Sequence, residues 1–154
     1  MDLLCNLIPD LRIAFLTNKL FIMPTTEQIQ INEKGPGKIA SIVIEGTSNA
    51  YFHQRVDIVI TDNNGHKTND RLQGQGEQVA FPNKVILDNV PLPATIDFNF
   101  TFSSDGGNNW QDAVMSRKVL TDDAGNNEVY ALFTEDSTDK DDNDTYVVTS
   151  IVHN

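Results

Sequence analysis

The chain has a single cysteine, Cys5, so no disulfide can form within it and the redox compartment is left open. Positive charge is scarce: 11 Lys and Arg stand against 22 Asp and Glu, a formal net charge of −11. Nucleic acid and anionic membrane surfaces would repel such a molecule, which argues against both as partners. A membrane-spanning apolar run is also missing. The apolar opening MDLLCNLIPDLRIAFLTNKLFIM is broken by Asp2, Asp10, Arg12 and Lys19, and it lacks the basic start of a secretory signal. Leu3, Leu4, Leu7, Leu11 and Phe15 fall at helical spacing, so residues 1–23 read as a short amphipathic N-terminal extension, with Met23 an alternative start. The remaining 24–154 are long enough for one domain with a genuine core.

That domain reads as all-β. Ala and Leu are modest while Val, Ile, Thr, Asn and Asp are plentiful. Candidate strands are 39–45, 55–61, 84–90, 95–102, 115–120, 128–134 and 145–152, separated by the turn signals DNNGHK, PLP, SSDGGNN and DDAGNN. In TIDFNFTF, Ile96, Phe98, Phe100 and Phe102 share one face while Asp97, Asn99 and Thr101 take the other. Strands this short and this regularly spaced predict a Greek-key β-sandwich of about nine antiparallel strands.

Motifs for catalysis are few. SSDGGNNW, Ser103 to Trp110, fits the Asp-box of sialidase propellers, but it occurs once, in a chain too short for a propeller. It reads instead as a structural hairpin turn, with Trp110 packing beside it. Four arginines, Arg12, Arg55, Arg71 and Arg117, form no evident cluster for an acidic sugar. His53, His66 and His153 have no Ser or Cys nearby in a nucleophile motif. No carboxylate pair is singled out for glycoside hydrolysis. The reading is therefore not an enzyme.

What the chain does concentrate is carboxylate. In EDSTDKDDND, Glu135 to Asp144, Glu135, Asp136, Asp139, Asp141, Asp142 and Asp144 are opposed only by Lys140. Most charge runs are solvated turns. This one lies between the apolar strands VYALF and YVV, which hold its ends together and stop its charges dispersing. Hard cations such as calcium take six to eight oxygen ligands, so a cation in this loop is the favoured reading. Asp139, Asp141 and Asn143 sit at alternate positions as in an EF-hand, but Asp144 falls where the required Gly should be, Ser150 replaces the terminal Glu, and a strand follows in place of a helix.

The loop resembles the signature EDGTDNDYNDAVV of the small calcium-dependent bacterial lectins of the LecB type, which bind fucose and mannose. Glu135, Asp136, Thr138, Asp139, Asp141, Asn143 and Asp144 match, while Ser137, Lys140 and Asp142 depart. NAYFHQRVDIVI, from Asn49, aligns without a gap to the family stretch NSSGTQTVNVLV, and Asn154 lies ten residues beyond Asp144, as the family's C-terminus does. The resemblance covers about residues 39–154 and is faint in the middle, where the extra length is expected in loops such as 62–78 and the Asp-box hairpin.

The resemblance implies two calcium ions per subunit. Their ligands would be Glu135, Asp139, Asp141, Asn143, Asp144, the backbone oxygen of Asn49, and the Asn154 carboxylate of a neighbouring copy in a homodimer or homotetramer. It implies a carbohydrate site of Asn49, Ala50, Tyr51, Phe52, Glu135, Asp136, Asp139, Asp141 and Asp144, for mannose- or fucose-containing glycans. Ala50 lacks the hydroxyl that accompanies fucose preference, which points to mannose. Tyr51 and Phe52 stand where the family carries small residues; they would stack on the sugar or on a second residue of a glycan, or narrow the site, or one of them would simply pack inward. A rival reading is an adhesive β-sandwich in which calcium only stiffens the loop. A glycosidase fragment, suggested by the Asp-box alone, is a third.

Overall fold

The computed structural model describes residues 26–113, 115–123, 125–136 and 144–154. Among the described residues there are nine strands, and their pairings are antiparallel. They are β1 (Thr26–Ile31), β2 (Ile39–Thr61), β3 (Lys67–Ala80), β4 (Val85–Pro91), β5 (Ala94–Ser103), β6 (Gln111–Asp112), β7 (Met115–Asp122), β8 (Asn127–Glu135) and β9 (Thr145–His153).

The organising element is β2, at 23 residues. Its first part runs between β9 on one edge and β4 on the other, while its second part runs between β5 and β3. One strand thereby serves two leaves: β7-β8-β9-β2-β4, and β1-β5-β2-β3 with β6 beside β5. Side chains from both leaves enter a single apolar cluster, which makes the arrangement a sandwich. Ile42 and Ile44 of β2, Leu132 of β8 and Ile151 of β9 meet Ile29 and Ile31 of β1 and Ile96, Phe98 and Phe100 of β5, none more than 1% exposed. Burying each such side chain contributes about 1.5–3 kcal/mol. Lys118 of β7 donates to the Gln28 carbonyl of β1, tying the outer edges of the leaves together.

The alternation expected of β5 is present from Ile96 to Phe100, while Thr101 is buried along with Phe102. Two expectations are corrected. Residues 39–45 and 55–61 belong to one strand, because Gly46–Ser48 continue the ladder to Val147–Thr145 and Thr47, Ser48 and Ala50 pair with β3. The segment 62–78 is not a long loop: only the Asp62–His66 turn is, and 67–80 is strand. KTNDRLQGQGEQVA hides its strand character because it lies on the sheet edge, where Leu72 alone is buried and no apolar alternation is needed. The helical expectation for the N-terminal extension concerns residues 1–23, outside the described residues.

Candidate functional site

The β8–β9 hairpin carries the acidic loop. Thr134 pairs with Thr145, and the Asp144 backbone N–H donates to the Thr134 carbonyl at 3.1 Å, so the loop's two ends are joined at its neck. Across this neck the Asp136 backbone N–H donates to Asp144 Oδ2 at 2.6 Å. From the side, the Asn49 N–H of β2 donates to the Asp144 carbonyl at 2.9 Å. Asn49, Glu135, Asp136 and Asp144, distant in sequence, are thereby gathered at one end of the sandwich.

The carboxylates at this neck are withdrawn from water. Glu135 is 1% exposed, and Asp136 and Asp144 are each 7% exposed. A buried carboxylate persists only where hydrogen bonds or a cation replace its lost hydration. One such bond comes from a residue that the sequence reading missed. Gln54, itself 1% exposed, donates from Nε2 to Asp136 Oδ2 at 2.7 Å, and its Oε1 accepts the Thr145 hydroxyl at 3.0 Å. The signal was present in the sequence: Gln54 shares the parity of Val56, Ile58 and Ile60, so it is a polar residue on an inward face.

The other expected positions divide. Asp139, Asp141 and Asn143 lie outside the described residues. Among the described residues alone, no three His, Cys, Asp or Glu side chains form a group that could hold a metal. The donor set at the neck is nevertheless all oxygen, and amides or hydroxyls bonding to it leave its negative charge intact. That chemistry fits a hard cation. Asn154 is held elsewhere: its backbone N–H donates to the Ile39 carbonyl at 3.0 Å and its Nδ2 to Ser41 Oγ at 3.0 Å. It stands at the far end of β9 from Asp144, about 30 Å away at the usual rise per strand residue. Within one chain Asn154 does not reach the neck of the acidic loop.

Beside Asn49 the chain turns three side chains to different environments. Ala50 is buried at 4% exposure. Phe52 stacks on Phe102, with ring centroids 6.0 Å apart and planes 20° from parallel. Tyr51 is 86% exposed. The inward-packing alternative thus applies to Phe52 and not to Tyr51.

The Asp-box segment is a hairpin turn, as the sequence implied. Asp105 accepts from the Ser103 hydroxyl at 2.6 Å and the Asn109 N–H at 2.8 Å, and these bonds hold its carboxyl down at about 2. Trp110 packs beside the turn under the Arg55 guanidinium, 4.3 Å from its ring centroid. The histidines are dispersed. His66 faces Asp62 in an exposed turn. His153 is buried against Glu128 at 3.0 Å, at the Asn154 end of the molecule. Glu128 also accepts from the Tyr130 hydroxyl at 2.9 Å, and burial, followed by that carboxylate, pushes the phenol up to about 12. No helix among the described residues is long and apolar enough to cross a membrane.

The site is thus one end of a β-sandwich, where the neck of an acidic hairpin loop is clasped by an asparagine of the long shared strand. The model of the fucose-binding lectin II (PA-IIL) family matches residues 34–153, and the chain belongs to that family of carbohydrate-binding lectins. Its fold is similar to the Ralstonia solanacearum high-affinity mannose-binding lectin, at 20% identity and a TM-score of 0.50 over 82% of this chain and 94% of that one. It is also similar to the Chromobacterium violaceum lectin CV2L, seen in complex with alpha-methyl-fucoside, at 17% identity and a TM-score of 0.51 over 75% of this chain and 90% of that one. At these identities the likeness is one of fold. No curated protein sequence matches the chain.

Proposed function

We propose that this protein is a non-enzymatic, calcium-dependent lectin that holds a mannose-type or fucose-type monosaccharide at the end of a glycan. The observation that carries the reading is the clasped neck of the acidic loop, where Asn49, Glu135, Asp136 and Asp144 converge in a chain of the fucose-binding lectin family. Glu135, Asp139, Asp141, Asn143, Asp144 and the Asn49 backbone oxygen would hold two calcium ions. When bound, the ions would offer open coordination positions to vicinal sugar hydroxyls, and charge-assisted hydrogen bonds to carboxylates would add direction.

The chain's own residues prepare that surface. Gln54 fixes one Asp136 oxygen, orienting the carboxylate that would accept a sugar hydroxyl. Asp136 in turn fixes Asp144 through its backbone N–H. Ala50, without a hydroxyl, favours mannose over fucose. The protein would assemble as a homodimer or a homotetramer. Several such sites on one particle would gain avidity for a glycan-coated surface.

The test is calorimetric titration of methyl α-mannoside and methyl α-fucoside into calcium-loaded protein, with a chelated control. Heat that disappears on chelation is expected, with mannoside the tighter ligand. Calcium at a hundred times its dissociation constant should also stabilise the fold by about 2.7 kcal/mol. That stabilisation without sugar heat would instead mean an adhesive sandwich with a calcium-stiffened loop.

A further inference from the structure

Beside Asn49, which clasps the neck, the surface carries an exposed aromatic ring. Tyr51 is the most exposed large apolar side chain among the described residues, at 86%. Exposed aromatic rings in isolation need no explanation. This one is built in from several directions. Its backbone carbonyl accepts from Gln75 Nε2 at 2.6 Å. Its ring meets Phe52 edge-on, with centroids 6.1 Å apart and planes at 66°, and Phe52 is anchored in turn by Phe102.

Opposite Tyr51, β3 departs from regular pairing. The register shifts on either side of Ala50, Gly76 adopts φ +112° and Gln78 φ +55°. The bend brings the Gln78 N–H to Asn49 Oδ1 at 3.2 Å, so the strand that lines Tyr51 is tied to the residue that clasps the acidic loop. Between the ring and the bend lies an open groove of about 540 Å³ lined by Tyr51, Gln75, Gly76 and Glu77. Gly76 keeps one wall low. Gln75 and Glu77 are exposed and offer an amide and a carboxylate.

We infer that this groove is a second sugar subsite, which takes the pyranose next to the terminal monosaccharide of an α-linked glycan. Tyr51 supplies a face for the sugar's apolar C–H side; at its hydroxyl edge the Glu77 carboxylate accepts hydrogen bonds and the Gln75 amide accepts or donates them. A pyranose has one such apolar face and a polar rim, so a lone ring flanked by two polar side chains matches its chemistry. Asn49 supplies the continuity: it bonds the Asp144 carbonyl at the loop's neck and precedes Tyr51 by two positions on β2. The subsite rests on the lectin reading proposed above, and it makes the preferred ligand an oligosaccharide.

The test compares methyl α-mannoside with α1-2, α1-3 and α1-6 mannobiose on calcium-loaded protein, for the native chain, Tyr51→Ala and Tyr51→Phe. At least one mannobiose should bind about fivefold tighter than the monosaccharide, the order of gain expected for covering one ring face. Tyr51→Ala should abolish that ratio, and Tyr51→Phe should keep most of it. If the monosaccharide binds and no mannobiose exceeds it by more than twofold, the subsite is overturned and the lectin reading stands. An equal loss of monosaccharide and mannobiose affinity in Tyr51→Ala likewise overturns it, because the ring would then serve the primary site. Silence with every sugar overturns the primary reading, and the subsite with it.

Discussion

Gln54 and Asp136, 82 positions apart in sequence, meet through an Nε2 to Oδ2 hydrogen bond of 2.7 Å inside the sandwich. This bond joins the long strand shared by both leaves to the neck of the acidic loop. Gln54→Leu should lower stability by about 1–3 kcal/mol, since it leaves a buried carboxylate and the Thr145 hydroxyl short of a partner. Gln54→Glu should cost more near neutral pH, because it sets a second carboxylate against Asp136. Urea unfolding of the two variants gives the order, and equal midpoints would show that the bond has no structural weight.

Asp105 gives the hairpin turn a pH dependence. Its carboxyl is lowered from 3.8 to about 2 by the Ser103 hydroxyl first and the Asn109 backbone N–H next. A carboxyl depressed in the fold contributes stability above its ordinary value, and that contribution is lost as pH falls from about 4 through 2. Asp105→Asn should therefore flatten the fall in melting temperature over this window. An unchanged acid slope in the variant would remove Asp105 from the acid response.

Tyr130 provides the opposite case. Burial, then the Glu128 carboxylate that accepts its hydroxyl, raises the phenol from 10.0 to about 12. The neutral phenol is the form the fold favours. Its contribution is full below pH 10 and is lost as pH rises through 12. An ultraviolet titration of the chain's three tyrosines should show a late-ionising component that Tyr130→Phe deletes.

Gly74 is required by a ring. A Cβ there would stand 2.6 Å from Phe81 Cδ1, while the same ring already lies 3.0 Å from where a Cβ on Gly46 would be. Phe81 is 6% exposed and closed in from both sides, so it has little room to retreat. Gly74→Ala should destabilise by about 1–3 kcal/mol, and adding Phe81→Leu should recover part of that loss. Full stability in the single variant would show that the ring moves freely.

What the sequence determined by itself is what local pattern can carry. Period-two runs such as TIDFNFTF predicted β structure because alternate side chains of a strand must face one core. The carboxylate run and its spacing marked the loop, and a contiguous motif survives in any fold that closes its ends. The Asp-box turn was legible for the same reason, since Ser103, Asp105 and Asn109 bond within a few residues of one another. Tertiary structure alone decided the rest. β3 is a strand because β2 pairs with it, although its own residues are mostly polar. Tyr51 faces outward and Phe52 inward because Phe102, on a different strand, supplies the inward partner. Gln54 reaches Asp136, and Asn154 is kept away from the neck of the acidic loop in its own chain, through pairings between β2, β8 and β9. Hydrogen-bond partners so far apart in sequence are chosen by the sheet's register, and no local spacing encodes them.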